Sequence, residues 1–212
     1  MDEDSRKPPG EAEEVEIAPA GFLNKINFYL KVSDAGEILR RYFVMNAFDG
    51  ALTMLGIVLG SFLAGARSEK IILGAGISAG FAIGVSGFVG GFLTERAERE
   101  KEVKELEKAM LINLEGTLIE EATRATIIIA ALASGVSPVL AALIASIPFM
   151  LSMIGIMSFI AAVYASLLII ASMLFSLGAM LGRISGESQI RYGLIMLTTG
   201  LLVGLLSVIL VH

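Results

Sequence analysis

A run of 58 residues without a charged side chain, Ala125 to Gly182, most constrains what this chain can fold into. A helical membrane span needs about 20 mainly apolar residues, so the run is long enough for two spans. Pro148 and Gly155 lie near its middle and predict the turn between them. Since 55% of all residues are hydrophobic and the mean hydropathy is +0.79, the sequence is that of a membrane protein rather than a soluble domain.

Three more apolar stretches are long enough to span: about Phe43 to Ala66, Ile71 to Leu93 and Tyr192 to Val211. We predict an all-α membrane protein with five transmembrane helices and a cytoplasmic charged helix between the second and third. The predicted parts are a disordered acidic tail (1–20), an interfacial amphipathic segment (21–41), transmembrane helices 1 and 2 (42–93), a cytoplasmic charged helical segment (94–124) and transmembrane helices 3 to 5 (125–212).

The distribution of charge predicts an orientation. The first 20 residues hold seven acids and two bases, unlike the basic start of a signal peptide, so we expect no cleavable signal. Asp34 followed by Glu37 predicts the start of a helix, with Arg40 and Arg41 at the membrane boundary. Bases are frequent before the first span and after the second, whereas the turn after the first span holds only two. The N-terminus is therefore predicted to be cytoplasmic and the C-terminus outside, most simply in the cell membrane.

Several classes of function are disfavoured by the residues present. The chain has no cysteine, which excludes disulfides and thiol chemistry. It shows no phosphate-binding loop, no Ser/His/Asp set and no redox-cofactor motif, so we expect neither an enzyme nor an ATP-driven pump, and no permanently bound cofactor. The net charge of -5 does not favour nucleic acid, and the expected surroundings are membrane lipid.

The first span carries polar and small residues on one face. They recur at helical spacing and comprise Asn46, Asp49, Thr53, Gly56 and Gly60. Asp49 lies eight residues beyond Arg41, on the order of 12 Å along a helix, where a carboxylate costs roughly 2.5 to 3.5 kcal/mol. Such residues mark ion pathways, so we interpret Asn46, Asp49 and Thr53 as an ion path. The alternatives are a structural hydrogen bond or a carboxylate that reaches the interface.

A stripe of glutamates follows the second span, on one face of the predicted charged helix: Glu95, Glu98, Glu102 and Glu105. Like charges at these spacings repel unless they are neutralised, and a divalent cation would do so. The alternative is a solvated helix whose acids pair with nearby bases, such as Lys101 with Glu105. A second acidic cluster contains Glu115, Glu120 and Glu121. With these carboxylates and the thioether of Met54, the sequence favours oxygen-preferring divalent ions over copper or zinc.

The second span has a glycine spacing that allows helix backbones to approach closely in lipid: Gly76, Gly80, Gly84, Gly87 and Gly91. Close packing is the simplest interpretation of this pattern.

Two stretches of the chain resemble a known family. The residues "RRYFVMNAFDGALTMLGIVLGSFLAGA", continued by "GISAGFAIGVSGFVGGFLTERAEREKEVKELE", are similar to the first two spans and the start of the cytoplasmic helices of the vacuolar iron transporter family. The residues "GRISGESQIRYGLIMLTTGLLVGLLSVILV" resemble its last loop and span. The family's Asp-Gly pattern matches Phe48 to Gly50. Where its second span typically has a methionine and a Gly-Glu pair, this chain has Gly87 and Gly90-Gly91.

The resemblance implies a function. Members of that family are five-span homodimers that move Fe²⁺, and often Mn²⁺, out of the cytoplasm in exchange for protons. Asp49 then corresponds to the membrane aspartate of the ion path, and Glu95 to Glu105 to the start of a metal-collecting helix. The sequence leaves two alternatives open: a non-transporting membrane scaffold whose charged helix docks a partner, and a transporter of another solute on the same fold.

Overall fold

The computed structural model describes residues 35–114 and 116–211, and these form five α-helices joined by short turns. The helices are α1 (Ala35–Leu63), α2 (Glu69–Met110), α3 (Leu118–Met153), α4 (Phe159–Ile184) and α5 (Gln189–Val211). All five are long and apolar enough to cross a membrane. The predicted five-helix membrane fold is confirmed. The predicted acidic tail, the interfacial segment up to residue 34 and Glu115 lie outside the described residues.

Helix α2 is longer than one membrane span. Its 42 residues extend about 63 Å, roughly twice the hydrocarbon thickness of a bilayer. The charged segment predicted between the second and third spans is helical as far as Met110 and continues α2 without a break. We call its part from Thr94 to Met110 the charged extension. It ends at Leu111, whose φ of 55° is left-handed, and the chain then turns back into α3.

Helix α3 continues through both of its prolines. The sequence predicts a turn between Pro148 and Gly155, but α3 runs to Met153 and the turn follows at Ile154. Gly155 makes the reversal with a φ of 81°, a conformation that favours glycine. Proline is tolerated inside a membrane helix because neighbouring groups can satisfy the backbone carbonyl that it leaves without a donor. Ser158 caps the start of helix α4, and its hydroxyl accepts a hydrogen bond from the Ala161 amide.

Glycines bring α1 and α2 onto α3, and for α2 the glycine spacing predicted such close packing. A Cβ on Gly80 would lie 2.5 Å from the Ala142 Cβ, and a Cβ on Gly50 would lie 2.7 Å from the Cα of Pro138. No real side chain packs that tightly, so the helices have the separation that glycine permits. The core beside these contacts contains Met54, Ile72 and Phe149, all fully buried.

Candidate ion path and charged extension

Asp49 lies on the outer surface of the bundle formed by one chain. Its side chain is exposed, on the same helical line as Arg41 and the 58% exposed Met45. It borders a groove of about 540 Å³ between α1, α4 and α5, which Phe48 also lines. Within residues 35–114 and 116–211 the Asp49 carboxylate makes no hydrogen bond or ion pair. The alternative of a structural hydrogen bond is therefore not observed in the single chain.

The small residues of the same face are also left open. Thr53 is half-buried one turn beyond Asp49. A Cβ on Gly56 or Gly60 would meet no atom within 4 Å. This differs from the glycines that face α3, and it shows that no atom of the described residues lies close to these two glycines on the side where a Cβ would be. We call the face formed by Met45, Asp49, Thr53, Gly56 and Gly60 the open face.

Asn46 lies beside the open face and points toward α2. Its side-chain nitrogen donates a hydrogen bond to the Tyr42 carbonyl at 2.9 Å. Its side-chain oxygen is 3.0 Å from the position that a Cβ on Gly87 would take. Asn46 therefore lies where α1 contacts α2, next to the face of α1 that carries Asp49.

Met54, a candidate thioether ligand, is not brought to Asp49. It lies five residues farther along α1, about 140° around the helix, and it is fully buried. A Cβ on Gly76 would lie 2.5 Å from its sulfur atom. The structure thus places Met54 in the core between α1 and α2.

Glu95 differs from the rest of the predicted glutamate stripe because it is buried, with only 1% of its surface exposed. One carboxylate oxygen accepts a hydrogen bond from the Tyr42 hydroxyl at 3.1 Å. The other accepts from the Arg99 guanidinium at 3.0 Å. A buried carboxylate needs such partners, and the contact with Tyr42 joins α1 to the start of the charged extension.

The other three glutamates of the stripe are exposed on the charged extension. Glu102 pairs with Arg99 at 2.8 Å, and Glu105 lies 3.8 Å from Lys101. The second pair is the one expected for a solvated helix. Within the described residues, no three Asp, Glu, His or Cys side chains are grouped so that they could hold a metal ion. One chain therefore presents the stripe as separate carboxylates.

Glu120 of the second acidic cluster caps the start of α3. It accepts a hydrogen bond from the Gly116 amide at 2.7 Å and pairs with Arg124 at 2.6 Å. The amide, and after it the arginine, hold the pKa of Glu120 below its usual range. Both oxygens of Glu120 therefore have partners at the start of α3, as expected for a residue that stabilises the end of a helix.

Two residues of this region, Tyr42 and Ser134, were not predicted from the sequence. No spacing rule predicts that Tyr42 reaches Glu95, because that contact depends on how α1 crosses α2. Ser134 is 1% exposed and its hydroxyl has no hydrogen-bond partner in the described structure. A sequence signal existed for Ser134, since it stands four residues before Pro138 and its carbonyl therefore lacks the usual helical donor.

Comparison with known proteins agrees with this architecture. The sequence model of the VIT family matches residues 40–113, from the start of α1 through the charged extension. The chain is also 32% identical to an uncharacterized protein of Methanocaldococcus jannaschii over 174 residues, which cover 81% of this chain and 87% of that protein. The chain is therefore a multi-pass integral membrane protein that belongs to the VIT family, a family of membrane transporters of metal ions.

Proposed function

We propose that this protein exports a divalent metal ion, Fe²⁺ or Mn²⁺, from the cytoplasm in exchange for protons. The observation that carries the proposal is the Asp49 carboxylate, which lies within a membrane span and makes no hydrogen bond or ion pair with the described residues. A carboxylate at this depth requires a cation, a proton or water. Binding a metal in one step and a proton in another would meet that requirement throughout a transport cycle.

The open face supports a homodimer as the working unit. A single chain in a bilayer would place the Asp49 carboxylate and two bare glycine backbones against lipid. Small residues of this kind allow two membrane helices to pack closely. A second copy, with its own α1 facing the first, would cover the glycines and place two aspartates on a shared path.

The charged extension supports a role in collecting the metal. Glu98, Glu102 and Glu105 are exposed carboxylates. Glu102 pairs with Arg99 and Glu105 lies near Lys101, and a divalent cation could replace these bases as the partner of each carboxylate. Glu95 is already bonded on both oxygens, so we propose the three exposed residues as the collecting group. Oxygen ligands of this type suit Fe²⁺, Mn²⁺ and other hard divalent ions.

The proposed orientation places the N-terminus and the charged extension in the cytoplasm and the C-terminus outside, in the cell membrane. The bases of the structure support it. Arg40, Arg96 and Arg183 lie at the end of the bundle where α1 begins, while Arg67 and Lys70 lie at the opposite end. Basic residues near span ends are retained in the cytoplasm.

The decisive experiment is flux in proteoliposomes that contain a pH dye. Fe²⁺ or Mn²⁺ is added outside, and the parent is compared with Asp49→Ala, Asp49→Asn and Glu187→Gln. The last variant is the control, because Glu187 is exposed in the turn before α5. We expect metal entry with opposing proton movement in the parent and the control, and neither in the two Asp49 variants. Normal coupled flux in folded Asp49→Ala protein would refute the assignment.

A non-transporting scaffold is the second candidate. The pairing of Lys101 with Glu105 favours it, because a charged extension with internal ion pairs suits docking of a partner as well as metal capture. Folded parent protein that moves neither metal would favour the scaffold or a transporter of another solute.

A further inference from the structure

A cavity of about 500 Å³ lies between the charged extension of α2 and the beginning of α3. Its inner end is lined by Phe92, Ile127 and Ile128, which belong to the apolar parts of the two spans. Ile128 is 53% exposed, so this end is accessible from the bilayer. Lys104 and Glu107 line the outer end, and further charged residues lie between. The cavity therefore lies across the boundary between lipid and water.

The two helices bring one arginine each to the same level of the cavity. Gly91 of α2 lies against Ala131 of α3, where its Cβ would be 3.5 Å from the Ala131 Cα. From this contact, Arg96 is five residues farther out of the membrane along α2, and Arg124 is seven residues farther out along α3. At 1.5 Å per residue the two levels differ by only about 3 Å. Both side chains line the cavity just outside its apolar end.

A glutamate follows each arginine about 6 Å farther from the membrane, which is one helical turn. Arg96 pairs with Glu100, and Arg124 pairs with Glu120, each at 2.6 Å. The two arginine side chains are 56% and 74% exposed, and such exposed pairs contribute little to stability. Each guanidinium also has further N–H donors beyond the one used in its pair. From the lipid outward, the cavity is therefore apolar, then basic, then acidic.

We propose that this cavity binds a phospholipid whose headgroup carries a primary ammonium, as in phosphatidylethanolamine. The acyl chains, phosphate and ammonium of such a lipid follow one another in the same order as the apolar, basic and acidic parts of the cavity. Guanidinium groups bind phosphate oxygens well, and basic pockets between membrane helices bind lipid headgroups. The phosphate lies between Arg96 and Arg124, and the ammonium donates to the carboxylate oxygen of Glu100 that Arg96 does not use. The lining has as many acids as bases, which suits a zwitterionic headgroup rather than an anionic one.

The test measures binding of phosphatidylethanolamine with a fluorescent acyl chain to the purified full chain in detergent, by fluorescence anisotropy. Three unlabelled lipids compete at equal mole fractions: phosphatidylethanolamine, phosphatidylcholine, whose amine has no N–H, and phosphatidylglycerol, which has no amine. The variants are Arg124→Gln, Arg124→Lys and Glu100→Gln. Arg183→Gln and Glu187→Gln are the matched controls, because both residues are exposed at the same end of the bundle and do not line the cavity.

We expect phosphatidylethanolamine to compete at least about threefold better than the other two lipids in the parent and in both controls. Arg124→Gln should weaken binding of the labelled lipid at least about tenfold, and Arg124→Lys, which keeps the charge, should recover part of the loss. Glu100→Gln should abolish the preference among the three lipids and still bind phosphatidylglycerol, a result that misfolding would not produce. Equal competition by the three lipids in the parent, strongest competition by phosphatidylglycerol, or unchanged binding by Arg124→Gln would overturn the site. Failure of metal flux alone would overturn only the proposed function.

Discussion

The hydrogen bond between Tyr42 and Glu95 gives the sharpest test of how α1 and α2 are held together. The acceptor is a carboxylate with 1% exposure, and the hydroxyl reaches it at 3.1 Å. A hydrogen bond to a charged group contributes about 1.5 to 3 kcal/mol, and its loss leaves a buried oxygen without a partner. Replacing Tyr42 by Phe removes only that hydroxyl, so we expect the free energy of unfolding to fall by about 2 kcal/mol.

The assay is reversible unfolding in mixed detergent micelles, followed by circular dichroism. Tyr164→Phe is the matched control: its side chain is 64% exposed on α4 and should contribute little. Glu95→Gln and the double variant complete a mutant cycle, in which the two changes should not be additive, because one removes the donor and the other the charge of the acceptor in the same hydrogen bond. A loss below about 0.5 kcal/mol in Tyr42→Phe, or additive effects, would refute the inference that this contact fixes the helix crossing.

Three other predictions follow from contacts of the described residues. Gly80→Leu should prevent folding, since even its Cβ would lie 2.5 Å from Ala142. In Gly90→Ala the new Cβ meets no atom within 4 Å, so this variant should fold normally. Equal yields of monodisperse protein from the two variants would contradict the packing. The chain has no other cysteine, so Gly56→Cys should form disulfide-linked dimers under oxidation. Leu201→Cys, at an exposed position on α5, should not. Exclusively monomeric Gly56→Cys protein would count against the dimer. The lowered pKa of Glu120 predicts that its contribution to stability is present above the ordinary glutamate pKa and is lost as pH falls through the lowered value. Glu120→Gln should remove this part of the acid dependence of unfolding, and an unchanged pH profile would contradict it.

The helical spans could be predicted because length and hydropathy alone decide them. The 58 uncharged residues require two spans, and the glycine spacing of α2 indicates the face that meets α3. The end of α3 was harder to predict from the sequence. Proline usually ends a helix in a soluble protein, but Pro148 lies inside this membrane helix, which continues to Met153. The spacing of the glutamate stripe does not predict which of its members are buried. Glu95 and Glu98 have the same chemistry and lie about one turn apart, yet only Glu95 is buried. That difference comes from the crossing of α1 over α2, which no local spacing encodes.

The open face of α1 connects the stability of the assembly to its proposed activity. Opposite that face, α1 is packed through residues such as Ala51 and Val58, both fully buried in the chain's own core. The other side exposes Asp49, whose placement against lipid costs roughly 2.5 to 3.5 kcal/mol. A second copy that replaces lipid with protein and water at this position recovers much of that cost, which corresponds to a dimer favoured by about two orders of magnitude. An Asp49→Ala variant should therefore lose coupled flux and, because its monomer no longer carries this penalty, also dimerise more weakly. Dimerisation as strong as the parent's would separate the two effects and leave the glycines as the source of association.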